Sequence, residues 1–143
     1  MDRTSCTPRA LRTAVTVRLV CPQDVLGVGA LHIQRMRERG QSPQQGFLDL
    51  FADAWLADQD RIGWLAEDPR GKPLAVLHGR IEPVLPTATA GRRRKLRLEL
   101  MFVTSALRDT GLETRLLSEA GRWAKGNADI DVIAESVGPD MPT

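Results

Sequence analysis

The sequence predicts a single mixed α/β (α+β) domain in the order β-α-α-β-β-β-α-β, and three observations carry that prediction. Its 143 residues, 42% hydrophobic and 27% charged, suit one compact domain with a real core. Apolar residues recur every three or four positions in the segments read as helices, and short β-branched or alternating runs lie between them. Clusters of Gly, Pro, Asn and Asp punctuate the chain where those patterns change.

Thr16 to Val20 (TVRLV) is β-branched and alternating, and Cys21-Pro22 ends it. Between Gln23 and Arg39, a stripe of Val25, Leu26, Gly29, Ala30, Ile33 and Met36 predicts a helix. Arg35, Arg37 and Arg39 crowd the end where cations suit the helix dipole, and Gly40 stops it. Ser42-Pro43 predicts the cap and first turn of a second helix, with Phe47, Leu50, Phe51, Ala54 and Trp55 as its apolar face to about Asp58. Arg61–Glu67 and Pro73–Glu82 form a predicted antiparallel hairpin about the turn Asp68-Pro-Arg-Gly-Lys72. Pro83 to Arg93 reads as a long exposed connection. Leu96–Val103 (LRLELMFV) is the most strand-like run, with Arg97, Glu99, Met101 and Val103 on one face and Leu96, Leu98, Leu100 and Phe102 on the other. From Leu112 to Lys125, Leu112, Leu116, Ala120 and Trp123 mark a core-facing helix, widened by Leu117 and Ala124. Gly126-Asn127 ends it, and Asp131–Ser136 supplies a last strand.

Twenty basic against eighteen acidic residues leave a formal charge of +2, too little to imply a polyanionic partner, so electrostatic recognition must be local. Cys6 and Cys21 lack a CxxC-like partner and outline neither a metal site nor a disulfide framework, which fits a reducing cytoplasm. No apolar run reaches the roughly 18 residues that span a bilayer, and no h-region marks a signal peptide. Residues 1–14 mix charge, Ser, Thr and Pro without period and read as a flexible lead-in to a domain over 15–143.

The informative element is the junction from the best strand into the best helix, Val103-Thr-Ser-Ala-Leu-Arg-Asp-Thr-Gly-Leu-Glu113. Unpaired N–H groups and a partial positive charge make a helix N-terminus a place for a phosphate, and Gly111 lets backbone approach. Element order and this junction, within RLELMFVTSALRDTGLETRLLSEAGRWAKGNADIDVIAES, resemble the GNAT superfamily of N-acetyltransferases. The resemblance implies a mostly antiparallel sheet of about five strands flanked by helices, with acetyl-CoA as co-substrate. In that family an Arg/Gln-x-x-Gly-x-Gly/Ala loop holds the coenzyme pyrophosphate, and Arg108, Asp109, Thr110, Gly111, Leu112 and Glu113 occupy its place. The main chain of Met101, Phe102 and Val103 would pair with the pantetheine arm. The two N-terminal helices would wall the amine site. Glu113 departs from the pattern, where a carboxylate adds bulk and repels phosphate. The chain also ends seven residues after Ser136, where the resemblance implies another helix and two strands. A truncated chain, a partner supplying the strands, or a domain without catalysis would each account for this. An open last strand favours a homodimer through that edge.

Acetyl transfer to an amine needs a base for the ammonium and an acid for the thiolate. Many family members use a tyrosine as acid, and this chain has none. Glu99, in the central strand, is the candidate catalytic base; its bland alternative is an ion pair with Arg97 or the preceding arginines. His78 could serve instead, though a lone histidine in an apolar strand is more often structural. His32 reads as a boundary residue of the first helix. Arg92-Arg93-Arg94-Lys95 could meet a phosphate, but more often such a run is a solvated loop, and without aromatic residues it does not favour nucleic acid. Trp55, Trp64 and Trp123 fall on apolar faces; an exposed indole at Trp55 would favour an aromatic or cationic substrate. Two readings follow: an N-acetyltransferase acting on a small-molecule or peptide amine, or a catalytically degenerate GNAT-like domain serving interaction or oligomerisation.

Overall fold

The computed structural model of the chain describes residues 15–89, 91, 93–127 and 130–133. The expected lead-in over 1–14 and the end of the last strand, 134–136, lie outside them. Five strands form one sheet in sequence order: β1 (Thr16–Leu19), β2 (Arg61–Glu67), β3 (Pro73–Val84), β4 (Arg93–Val103) and β5 (Ile130–Ile133). Neighbours are antiparallel except β4 and β5, which run parallel through Arg94–Arg97 and Ile130–Ile133. Helices α1 (Val25–Glu38) and α2 (Phe47–Ala57) follow β1, and α3 (Leu112–Lys125) connects β4 to β5. The expected α/β class, mostly antiparallel sheet and element order are therefore present.

Two cores form, one on each face of the sheet. Under α3, Leu112, Leu116, Ala120 and Ala124 pack on Trp64, Leu77, Leu96, Leu98, Met101 and Val103. Burying Leu112 and Leu116 contributes roughly 2 kcal/mol each. Trp64 is fully buried and meets Trp123 edge-on at 6.1 Å. Under α1, Val28 and Leu31 cover Leu65, Val76 and Phe102. The β2–β3 turn is held by Asp68, whose Oδ1 accepts from the N–H of Arg70 (2.9 Å) and Lys72 (2.8 Å). Gly71 supplies the positive φ of 84° that this turn needs.

Several expectations change. The buried stripe of α1 is Val25, Val28, Gly29 and Leu31, while Leu26 and Ala30 face outward. Helix α2 starts at Phe47 behind Gly46 in the left-handed region, not at Ser42-Pro43. No residue of α2 is buried, and Leu50 is exposed although it was placed on the apolar face. Likewise Leu117 of α3 is exposed. The hairpin of β3 and β4 reaches Val84 and Arg93, so the expected long connection shrinks. Arg93, Arg94 and Lys95 belong to a half-buried strand rather than a solvated loop. Arg93 pairs with Asp131, and Lys95 Nζ lies 3.7 Å from Glu82.

The largest departure lies within β4. The register passes from His78↔Leu100 to Gly79↔Leu98, leaving Glu99 as an extra residue. This β-bulge switches which face each side chain takes. Leu96 and Leu98 before it, and Met101 and Val103 after it, all enter the α3 core, whereas Phe102 and Leu100 pack toward α1. The strict alternation read from the sequence fails there, and Glu99 lies opposite the face of Met101 and Val103. Gly79 makes room for the bulge: a Cβ on it would lie 2.0 Å from the Arg97 carbonyl oxygen.

Gly79→Ala is therefore expected to destabilise by roughly 3 kcal/mol, because the obstacle is backbone that cannot swing aside. Gly121→Ala, mid-helix in α3 with open space at its Cβ, should stabilise by about 0.5–1 kcal/mol. Urea midpoints of both variants against the parent provide the comparison.

Candidate functional site

The bulge delivers Glu99 to the α1–α2 face, where β2, β3 and α2 bring five further side chains around it, those of Arg61, His78, Phe51, Ala54 and Trp55. Arg61, the first residue of β2, donates from Nη1 to Glu99 Oε1 at 2.6 Å. The same Nη1 lies 3.4 Å from His78 Nδ1, and Arg61 Nη2 is 3.5 Å from Asp58. Glu99 thus pairs with Arg61 from β2, not with Arg97, which bonds Glu82 at 3.2 Å. Asp58 is also gripped by Arg80 at 2.8 and 3.1 Å, and that bonding holds its carboxyl down to about 2.

His78 is buried, and its Nε2 lies 3.0 Å from His32 Nε2 on α1. An arginine only donates, so His78 Nδ1 is the acceptor and its proton sits on Nε2, directed at His32. Desolvation pushes the pKa of both imidazoles down, that of His32 to about 4 and that of His78 well below its ordinary value; Arg35 and Arg61 add to it. Both rings are neutral at pH 7. Aromatic residues of α2 close the pocket: Phe51 lies 4.7 Å from the His32 ring, and Trp55 meets His78 edge-on at 5.2 Å. Trp55 is half-buried, and the Arg61 guanidinium lies 5.8 Å from its ring centre. The cavity, about 240 Å³, is lined by Phe51, Ala54, Trp55, Arg61, His78 and Glu99.

His32 was read as a boundary residue; the structure turns it inward. Val25, Val28, Gly29 and His32 share spacings of three and four, and that stripe is the signal that could have placed it. No comparable signal marks Arg61 in a single sequence.

A second feature begins where β4 ends. Thr104 N–H donates to Leu74 O across the β3 edge at 3.0 Å. By alternation the peptide groups of Val103 and Met101 face the other edge, and those of Phe102 face β3. Described β5 pairing stops at Arg97, so that other edge continues past Met101 and Val103 with no described strand beside it. A 3-10 turn over Ser105–Leu107 follows, then Asp109 at φ 64° and Gly111 at φ 90° capping α3. The N–H groups of Asp109 to Thr114 find no acceptor among the described residues. Thr110 Oγ1 instead donates to Leu107 O at 2.6 Å, and half-buried Glu113 stands in the first turn. Unpaired amides at a helix N-terminus are the kind of group that can receive an anion.

Arg108 does not turn toward those amides. Its Nε donates to Val103 O at 2.9 Å, its Nη2 pairs with Glu38 at the end of α1, and its guanidinium stacks 5.4 Å over Phe102. Gln34 of α1 also donates to Thr104 Oγ1 at 2.7 Å. The structure thus gathers Glu99 with His78 and Arg61 in one pocket, with His32 behind His78, and Met101, Val103 and residues 109–113 along one edge and loop. Among the described residues, no group of three or more His, Cys, Asp or Glu could hold a metal ion, and no helix is long and apolar enough to cross a membrane.

No protein-family model matches the chain, and no curated protein sequence matches it. Solved structures do match, at probability 1.00. One, described as a "predicted acetyltransferase with acetyl-CoA" from Clostridium acetobutylicum, superposes with TM-score 0.65 at 19% identity over 84% of this chain and 80% of that one. A ribosomal-protein-alanine N-acetyltransferase from Brucella melitensis gives TM-score 0.65 at 16% identity over 84% and 80%. A GNAT family acetyltransferase from Staphylococcus aureus gives 0.65 at 14% over 87% and 85%. The fold is that of the GNAT N-acetyltransferases.

The buried imidazole pair predicts a pH dependence. A base whose folded pKa lies below its unfolded value protonates more readily when unfolded, so its contribution is intact above about pH 6.5 and is lost as pH falls toward 4. For His32 alone, moving from pH 7 to pH 5 should cost about 2 kcal/mol. Urea unfolding at the two pH values should show this loss in the parent and a smaller one in His32→Phe. Equal losses would mean that the ring is not held neutral in the folded chain.

Proposed function

We propose that the protein transfers an acetyl group from acetyl-CoA to the amine of a small-molecule or peptide substrate. The observation that carries this reading is the continuity of the open β4 edge with the unpaired amides at the start of α3, in a fold shared with acetyltransferases. A pantetheine arm can extend along the peptide groups of Met101 and Val103, beside Phe102. The pyrophosphate is then received by the backbone from Arg108 to Glu113. Gly111 supplies the positive φ that aims those amides. Glu99 is assigned as the base. Its Oε1 is occupied by Arg61, and no hydrogen bond reaches Oε2 among the described residues.

In the reaction the amine nitrogen forms a bond to the acetyl carbon and the carbon–sulfur bond breaks. The ammonium proton passes to Glu99, directly or through water. The second nitrogen-bound proton leaves to solvent as the amide forms, and the departing thiolate takes its proton from solvent, since the chain has no tyrosine. Arg108 must release Val103 O for the arm to pair there. We place the protein in the cytoplasm, where the free thiol of Cys21 persists. Association of two copies along β5, an edge of the described sheet, belongs to the same reading.

Titration calorimetry with acetyl-CoA tests this reading directly. Micromolar binding is expected, Gly111→Asp should weaken it at least about thirtyfold by placing a charge and a disfavoured φ at the phosphate, and Glu113→Gly should tighten it several-fold. Absence of heat at millimolar acetyl-CoA, in the parent and in Glu113→Gly alike, would overturn it in favour of a non-catalytic domain.

A further inference from the structure

Resting on that reading, we infer that the acceptor is a small monoamine whose single ammonium is carried on a flat, uncharged apolar body, the arylalkylamine class. The body lies against Phe51 and Trp55, and the ammonium meets Glu99 Oε2.

The walls favour such a body. Phe51 and Trp55 are one turn apart on α2 with ring centres 5.9 Å apart, and the His78 ring stands edge-on to the indole. Edge-to-face and offset packing of this kind reward a planar guest. Gly63 fixes how near the indole comes to the sheet, because a Cβ there would lie 3.0 Å from Trp55 Cη2 and 3.1 Å from His78 Cβ. The volume of about 240 Å³ falls below the roughly 300–1,000 Å³ of pockets for drug-sized ligands. It suits one ring and a short chain better than a folded peptide.

Charge decides between kinds of amine. The place of a cation at the Trp55 ring is already taken by Arg61, so the indole offers nothing further to a substrate ammonium. Asp58 is engaged by Arg80 and Arg61, leaving no second carboxylate in the pocket for a diamine. The charge of Arg61 is matched by Glu99 and Asp58, which leaves no cation for an acidic amine. The neutral imidazole of His78, backed by that of His32, completes the wall. One acceptor is left for an ammonium, Glu99 Oε2, which no hydrogen bond reaches among the described residues, and a second charge would find no partner there, at a cost that sets the selectivity.

The experiment follows acetyl transfer from radiolabelled acetyl-CoA to four probes: 2-phenylethylamine, 1,4-diaminobutane, glutamate and a peptide with N-terminal alanine. Acetyl-CoA binding is measured in parallel by calorimetry. The expected result is a kcat/KM for 2-phenylethylamine at least about thirtyfold above the other three. Ala54→Leu, on the exposed helix α2 and intruding on the cavity, should raise KM for 2-phenylethylamine with kcat little changed. Glu99→Gln should instead lower kcat. Preference for the diamine, glutamate or the peptide overturns the substrate class and leaves acetyl transfer standing. Coenzyme binding without acetylation of any probe also overturns the class. Absence of coenzyme binding removes the functional reading itself, and this inference with it.

Discussion

One extra residue in β4 organises the molecule. A strand that alternated strictly from Leu96 to Val103 would send Leu96 and Leu98 to one core and Met101 and Val103 to the other, and would turn Glu99 toward α3. With Glu99 bulged out, all four apolar side chains fill the α3 core, and the carboxylate emerges on the opposite face. The device depends on the partner strand, since only a glycine at 79 tolerates the Arg97 carbonyl at that approach. Packing and chemistry are thus set by the same local irregularity. The β4–β5 pairing is described just up to Arg97, two residues before the bulge, so the open edge and Glu99 are neighbours along one strand.

Around that carboxylate, burial sets the electrostatics. Two imidazoles at 3.0 Å are kept neutral first by desolvation, to which the Arg35 and Arg61 guanidinium groups add, and the charge of Arg61 is itself matched by Glu99 and Asp58. Helix α2 buries no residue completely, yet Phe47, Phe51 and Trp55 tie it through ring contacts to one another and to His32 and His78. Its place over the site therefore rests on the aromatic contacts that also line the pocket. Leu48 adds a contact on α1, where a Cβ at Gly29 would lie 2.8 Å from its Cδ2, while the exposed Leu50 and Leu56 add little.

Elements whose pattern is local were legible in the sequence. Arg61–Glu67 and Leu112–Lys125 have the bounds that composition and periodicity predict, because turn residues flank both and each presents one dominant face. What escaped depends on distant partners. The face of α1 was misjudged since Leu26 and Ala30 are as apolar as Val28 and Leu31, and only the sheet beneath decides which pair is covered. The bulge leaves no mark in a run where apolar residues stand on both sides of Glu99. The pairing of His32 with His78 spans 46 positions, and that of Arg61 with Glu99 spans 38. The loop motif suggested a place for an anion, and could not show that Arg108 would bond Val103 and Glu38 instead of facing the loop amides.

That turn follows from a rule about strand edges. A carbonyl on an open edge needs a donor, and Val103 O obtains one from Arg108 Nε rather than from a strand. The guanidinium is held there by Glu38, at the C-terminal end of α1, while Gln34 ties the same helix to Thr104. Further back on the same helix His32 lies against His78 and Phe51, two residues that line the pocket containing Glu99. A ligand pairing with Val103 must displace Arg108 and thereby loosen one of two ties between the loop and α1. A ligand lying against Phe51 and Trp55 presses, through the Phe51 ring, on the His32 end of that helix. The two halves of the site are thus mechanically joined through a single helix, although none of the residues assigned to the coenzyme lies on it.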